Sequence, residues 1–172
     1  MNNLRKSVGF TMLEVMISIV IIAFGLLGVA GLQAFALKNT QSANFRLTAT
    51  TLANDIIDRM KSNYAGVSSG SYNRPNSGDY EASVNCNGAP CSAALLGDFD
   101  RAEWARRVRQ ALPGGVGIVC LDSTPNDGAN AGVPACDGNG DVMYVVKIWW
   151  NDDRTSRAGA VPLQLFWTAF NP

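Results

Sequence analysis

Histidine does not occur anywhere in the 172 residues. That absence removes the imidazole on which most zinc sites depend, and the base of a Ser–His or Cys–His catalytic pair. Asp98, Asp100 and Glu103 bring carboxylates together, but in an Arg-rich segment where salt bridging accounts for them, and no nucleophile stands beside a base. The sequence therefore predicts neither an enzyme nor a cofactor site. Net charge is missing too: 14 basic and 14 acidic side chains cancel, which offers no general attraction for nucleic acid. The four cysteines lack the tight CxxC spacing of a zinc knuckle. The longest absence is of charge along the chain, with none in the 23 residues from Val15 to Leu37.

What fills that gap is almost wholly apolar. At 1.5 Å rise per residue such a helix covers the ~30 Å hydrocarbon core of a bilayer. Arg5 and Lys6 precede it and predict a cytoplasmic N-terminus, with everything after Lys38 on the far side. Glu14 sits near the start of the span, where a carboxylate is costly without a reason. It either lies in the headgroup layer and complements the positive end of the helix dipole, or has a partner. A secretory signal peptide places its small-residue cleavage site after the apolar core; here the small residue, Gly9, comes first, so the core is retained.

Gly9-Phe10-Thr11-Met12-Leu13-Glu14 resembles the G-F-T-L-x-E processing site of type IV prepilins. The resemblance implies that prepilin peptidase cuts after Gly9 and methylates the new amino group of Phe10, leaving Glu14 as the fifth residue of the mature chain. In a fibre, Glu14 beside Thr11 would pair with the α-ammonium of a neighbouring Phe10, since a buried charge is tolerated only with a partner. Glu14-Val15 and the run Gly25-Leu26-Leu27-Gly28-Val29-Ala30-Gly31-Leu32-Gln33 are similar to minor pilins of the PilV type, the type IV pilus modification family, most strongly over residues 9–60. Major pilins usually carry proline where this chain has Gly31. Gly25, Gly28 and Gly31 form one narrow stripe that favours close helix packing, tolerance of glycine in membrane helices being the plain alternative. Each glycine also weakens a helix in water by up to about 1 kcal/mol, so local unwinding outside lipid is a further expectation.

The resemblance implies an α+β pilin fold, a long N-terminal helix on a small antiparallel sheet. It implies a single-pass inner-membrane subunit with a periplasmic domain, later extracellular in the pilus. Its partners would be other minor pilins, the major pilin, prepilin peptidase, the assembly platform and, before assembly, membrane lipid. Its work would be pilus assembly, adhesion and twitching motility. A type II secretion pseudopilin is the alternative, and a DNA or calcium receptor displayed on the pilus is less favoured. Loss of the leader leaves 12 basic against 14 acidic side chains. The chain is thus expected to divide into a leader (1–9), a membrane and assembly helix (10–37), an amphipathic half (38–64) and a globular domain (65–172).

On the exported side, Cys86, Cys91, Cys120 and Cys136 read as two disulfides with three possible connectivities, of which sequence neighbours suggest Cys86–Cys91 and Cys120–Cys136. Past the membrane segment, Phe45, Ala49, Leu52, Ala53, Ile56, Ile57, Met60 and Tyr64 recur at helical spacing, so one helix is expected from Phe10 to Asn63, on the order of 80 Å long. Gly66 to Gly78 reads as a loop. Asp98 to Leu112 reads as a second helix, with an Asp100–Glu103 capping box or Asp98 as cap, and with Trp104, Val108, Ala111 and Leu112 facing the core. Arg101, Arg106, Arg107 and Arg109 on that helix read as a solvated face rather than a nucleic-acid patch.

Three strands are expected, at 116–121, 142–150 and 162–168, as an antiparallel meander. Tyr144, Val146, Ile148 and Trp150 share one face; Lys147, Trp149 and Phe166 are placed on the other. Asp137, Asn139 and Asp141 mimic the first half of an EF-hand loop, but Val142 replaces the required glycine and no closing glutamate follows. A Gly/Asn/Asp turn explains the same residues, and metal binding is not expected.

Overall fold

A computed structural model describes residues 9–75, 85–88, 90–138, 143–152 and 163–172. The element order is α1 (Met12–Ser62), α2 (Tyr64–Ser68), α3 (Ala93–Ala111), β1 (Val116–Asp122), β2 (Met143–Trp150) and β3 (Gln164–Phe170). The class is α+β. The chain divides into two compact units, Met1–Ser42 and Ala43–Pro172. In the first, α1 is unbroken through Gly25, Gly28 and Gly31.

In the second unit, the amphipathic stripe of α1 buries Phe45, Ala49, Ala53, Ile56, Ile57 and Met60. Tyr64, expected to continue that stripe, is 64% exposed. The periodicity stops because Asn63 interrupts the helix: its side chain accepts from the Gly66 N–H at 3.2 Å and opens α2 instead. Gly66 therefore lies in a helical turn, not in the expected loop. A Cβ there would lie 2.4 Å from Asn63 Nδ2 and 2.8 Å from the Ala93 carbonyl, so the turn needs the missing side chain.

Helix α3 starts five residues earlier than Asp98, because Ser92 caps it by accepting from the Leu95 N–H at 3.3 Å. Asp98, Asp100 and Glu103 are thus interior residues, and neither expected cap forms. Trp104, Val108 and Leu112 face the core as expected, whereas Ala111 is exposed. Arg101 is buried and pairs with Asp98, so it does not belong to the solvated face.

The sheet is a meander in the order β1-β2-β3, antiparallel throughout. Val119 pairs with Val146 and Val146 with Thr168, which places Val119, Tyr144, Val146, Ile148 and Trp150 on the face that meets the helices. Phe166 pairs with Ile148 and packs on that same core, so its expected place on the outer face is corrected by the register of β3. Trp167 takes the outer position and is 41% exposed. Trp104 lies against Gly117 of β1, where a Cβ would come within 2.4 Å of the indole. Its Nε1 donates to the Leu52 carbonyl of α1 at 2.8 Å, so one side chain ties both helices to the sheet.

Over β1 and β2 the outer face is covered rather than wet. Ile118, Cys120 and Trp149 form a second small core with Ala131, Cys136 and Leu165. The segment after β1 crosses this face and is fastened by the Cys120–Cys136 disulfide; Cys86–Cys91 is the second bridge.

Candidate functional site

The start of α1 is built from its own backbone. Thr11 Oγ1 accepts from the Glu14 N–H at 3.3 Å, and the Thr11 carbonyl accepts from Glu14 N at 3.1 Å and Val15 N at 3.3 Å. Thr11-x-x-Glu14 has capping-box spacing, and the half in which the hydroxyl satisfies an orphan N–H is formed. That spacing was present in the sequence and gives Thr11 a role the pattern reading left out. Glu14 stands in the first turn, where a carboxylate complements the helix dipole. Gly9 and Phe10 precede the helix in the open, Phe10 being 83% exposed.

Every residue from Gly9 to Leu37 is exposed, including seventeen large hydrophobic side chains from Phe10 to Leu37. A Cβ added at Gly25, Gly28 or Gly31 would meet nothing within 4 Å. The glycine stripe is thus a smooth strip on an uncovered helix. Long exposed apolar patches mark interaction with membrane or protein, because water alone disfavours them. This helix is long and apolar enough to cross a membrane, which is consistent with membrane anchoring.

The arginines of α3 form a mixed seam with acids of α1. Arg107 reaches Asp55 at 3.3 Å and Glu103 at 3.2 Å, and Arg106 reaches Glu103 at 3.6 Å. Arg59 bonds Asp100 at 3.1 Å and Asp55 at 3.4 Å. Burial works against its charge, but Asp55 and Asp100 outweigh that and hold its pKa above the ordinary value. Asp100 also accepts from Tyr72 Oη at 2.7 Å; burial first, and then this bond, raise the Tyr72 pKa well above that of a free phenol. Such pairing explains the charges by structure, not by a basic patch.

A site the sequence did not disclose lies under the cover of the outer face. Lys147, at the centre of β2, is fully buried. Its Nζ donates to Asp127 Oδ1 at 2.8 Å, to the Asp127 carbonyl at 3.1 Å and to the Pro134 carbonyl at 2.8 Å. Asp122 Oδ2, at the end of β1, stands 2.6 Å away. The bond from Lys147 is the main reason that the Asp127 carboxyl titrates below its ordinary range. Gly128 permits the close turn: its φ is +96°, and a Cβ would lie 2.5 Å from the Pro134 carbonyl.

Cys120, Asp122 and Cys136 bring one possible ligand atom each within 4.8 Å of one another. Both sulfurs are joined in the disulfide, which leaves a single carboxylate and no metal donor set. Asp137, the first residue of the weak calcium pattern, accepts from the Ser123 N–H at 3.0 Å and from Ser123 Oγ at 2.6 Å. Asn139 and Asp141 lie outside the described residues, as do Arg5 and Lys6.

Residues 4–30 match the family model described as the prokaryotic N-terminal methylation motif. No curated protein and no solved structure matches the chain. The matched stretch contains Gly9, Phe10, Thr11 and Glu14 and ends within the glycine stripe. Set on an uncovered apolar helix and followed in the chain by a disulfide-stapled α+β unit, the motif supports a type IV pilin-like protein, pilin or pseudopilin.

Proposed function

We propose that this protein is a minor pilin of the PilV type, incorporated into type IV pilus fibres or the complex that initiates them. One observation carries the reading: an apolar helix that its own chain leaves uncovered, opening on a methylation motif. Such a helix needs lipid around it or other helices of its kind, because exposed apolar area costs roughly 25 cal/mol per Å² in water. In this reading prepilin peptidase cleaves between Gly9 and Phe10 and methylates Phe10. The assembly platform then moves the helix from the inner membrane into a bundle with other minor pilins and the major pilin. There Glu14 meets the α-ammonium of a neighbouring Phe10, and the strip of Gly25, Gly28 and Gly31 admits a close neighbour. The disulfide-stapled unit is carried from the periplasm to the fibre surface. The protein turns over no substrate; adhesion and twitching follow from the fibre it helps to build.

Mass spectrometry of the N-terminus in sheared surface fibres tests this directly. The chain should begin with N-methyl-Phe10, and Glu14→Ala should still insert in the membrane yet be missing from fibres. Met1 still attached in fibres would defeat the scheme. The motif serves a type II secretion pseudopilin equally well, and deletion separates the two: loss of twitching marks a pilus subunit, loss of enzyme secretion a pseudopilin.

A further inference from the structure

We propose that Lys147 and Asp122 condense to an intramolecular amide, a covalent cross-link between β2 and β1 formed by the domain itself beneath its disulfide-fastened cover. Four oxygens crowd Lys147 Nζ: Asp127 Oδ1 at 2.8 Å, the Asp127 carbonyl at 3.1 Å, the Pro134 carbonyl at 2.8 Å and Asp122 Oδ2 at 2.6 Å. An ammonium has three protons, and the first three oxygens take them. Asp122 Oδ2 is left, wholly buried, without a hydrogen-bond partner among the described residues. Among the described residues its other oxygen accepts the Thr124 N–H, at 3.1 Å. The ammonium 2.6 Å away offsets the charge of this carboxylate, but with its three protons committed elsewhere it gives the oxygen no hydrogen bond, and losing that oxygen to an amide removes the unmet acceptor.

The two carboxyl groups are placed in unlike surroundings, the arrangement that separates acid and base roles. Asp122 is fully enclosed, whereas the Asp127 side chain is 42% exposed and hydrogen-bonded by both Lys147 and Thr124. Transfer of one proton from Nζ to Asp122 gives a neutral amine beside a neutral carboxylic acid. With Oδ2 at 2.6 Å, the Asp122 Cγ is no more than about 3.9 Å from Nζ, close to the separation of a near-attack arrangement. The Nζ lone pair adds to Cγ, and Asp127 takes the proton that the nitrogen sheds. The same carboxyl returns that proton to the departing Asp122 oxygen, which leaves as water. One C–N bond forms, one C–O bond breaks, and no oxidant, reductant or activating group enters. Asp127, at the wet edge of the cover, gives the water a way out.

The test is the mass of the full-length protein purified from membranes in mild detergent, followed by tryptic mapping after reduction. The expected result is a chain lighter by one water than its disulfide-bonded sequence, with the Asp122 and Lys147 peptides joined. Asp127→Ala should slow formation of the joined peptide after refolding, on the order of 10²-fold for loss of a proton carrier. Lys147→Arg should restore the missing water. Asp127-Gly128 and Asp137-Gly138 can also lose water by closing a ring on the backbone, so the joined peptide is the deciding readout. An unmodified Lys147 that trypsin cleaves in the wild-type protein overturns the proposal, and so does a wild-type water loss that maps to an Asp-Gly peptide with no joined Asp122–Lys147 peptide.

Discussion

Gly117→Ala should destabilise the globular unit in the natural background and become neutral or stabilising beside Trp104→Phe. An alanine Cβ at this site would stand 2.4 Å from Trp104 Cη2, 2.8 Å from Cζ3 and 3.1 Å from Cζ2. Carbon atoms rest about 3.5–4.0 Å apart, so roughly 1 Å of room must be found at a residue with no exposed surface. Overpacking of this kind costs about 1–3 kcal/mol. Replacing glycine within a strand works the other way, by roughly 0.5–1 kcal/mol of chain entropy. The clash wins, and the net loss is about 1–2 kcal/mol. Each of the three clashing atoms belongs to the far ring of the indole, which phenylalanine lacks. In the Trp104→Phe background only the entropic gain remains, and the sign of the Gly117→Ala effect reverses. Trp104→Phe alone also loses the bond to the Leu52 carbonyl, about 1 kcal/mol, on top of the smaller ring. Urea titrations of the four proteins, full length in mild detergent and with disulfides intact, give the coupling energy. Equal costs for Gly117→Ala in both backgrounds would refute the packing argument.

Other outcomes follow from the same contacts. The folded Tyr72 phenol titrates above its ordinary value near 10, so its contribution is complete below that pH and fades as pH rises through the folded value. Denaturant midpoints should therefore fall on the alkaline side above about pH 10, and Tyr72→Phe should flatten that limb while costing about 1 kcal/mol at neutral pH. Ser92→Ala should cost about 1 kcal/mol in thermal melts and Asp98→Ala should show no cap loss, since the cap of α3 is Ser92. Replacing Cys120 and Cys136 by serine should remove about 3 kcal/mol for a loop of this size, and open the cover so that an acylating reagent labels Lys147 in any chain where it remains an amine.

Much of this architecture was legible from local pattern. A charge-free run long enough for a bilayer forms one helix wherever it lies, because backbone groups in lipid must be bonded internally. The three- and four-residue spacing from Phe45 to Met60 marked the buried stripe of α1, and period-two alternation marked β2. Both signals are properties of a few adjacent turns or pleats. The ends of elements were less legible, since Ser92 and Asn63 act through single hydrogen bonds that compete with equally good neighbours such as Asp98.

Alternation placed Lys147 on the face away from Tyr144, and there the sequence by itself stopped. Whether that face meets water depends on where the chain after β1 goes, and that segment has no periodic pattern to reveal it. Sequence neighbours already suggested the Cys120–Cys136 bridge, but only the tertiary structure decided that it would draw this segment across the sheet, bury an amine beside two carboxylates, and leave one oxygen without a hydrogen-bond partner among the described residues. The register of β3 likewise turned Phe166 inward and Trp167 outward, because pairing with β2, not the strand's own alternation, chooses which parity faces the helices.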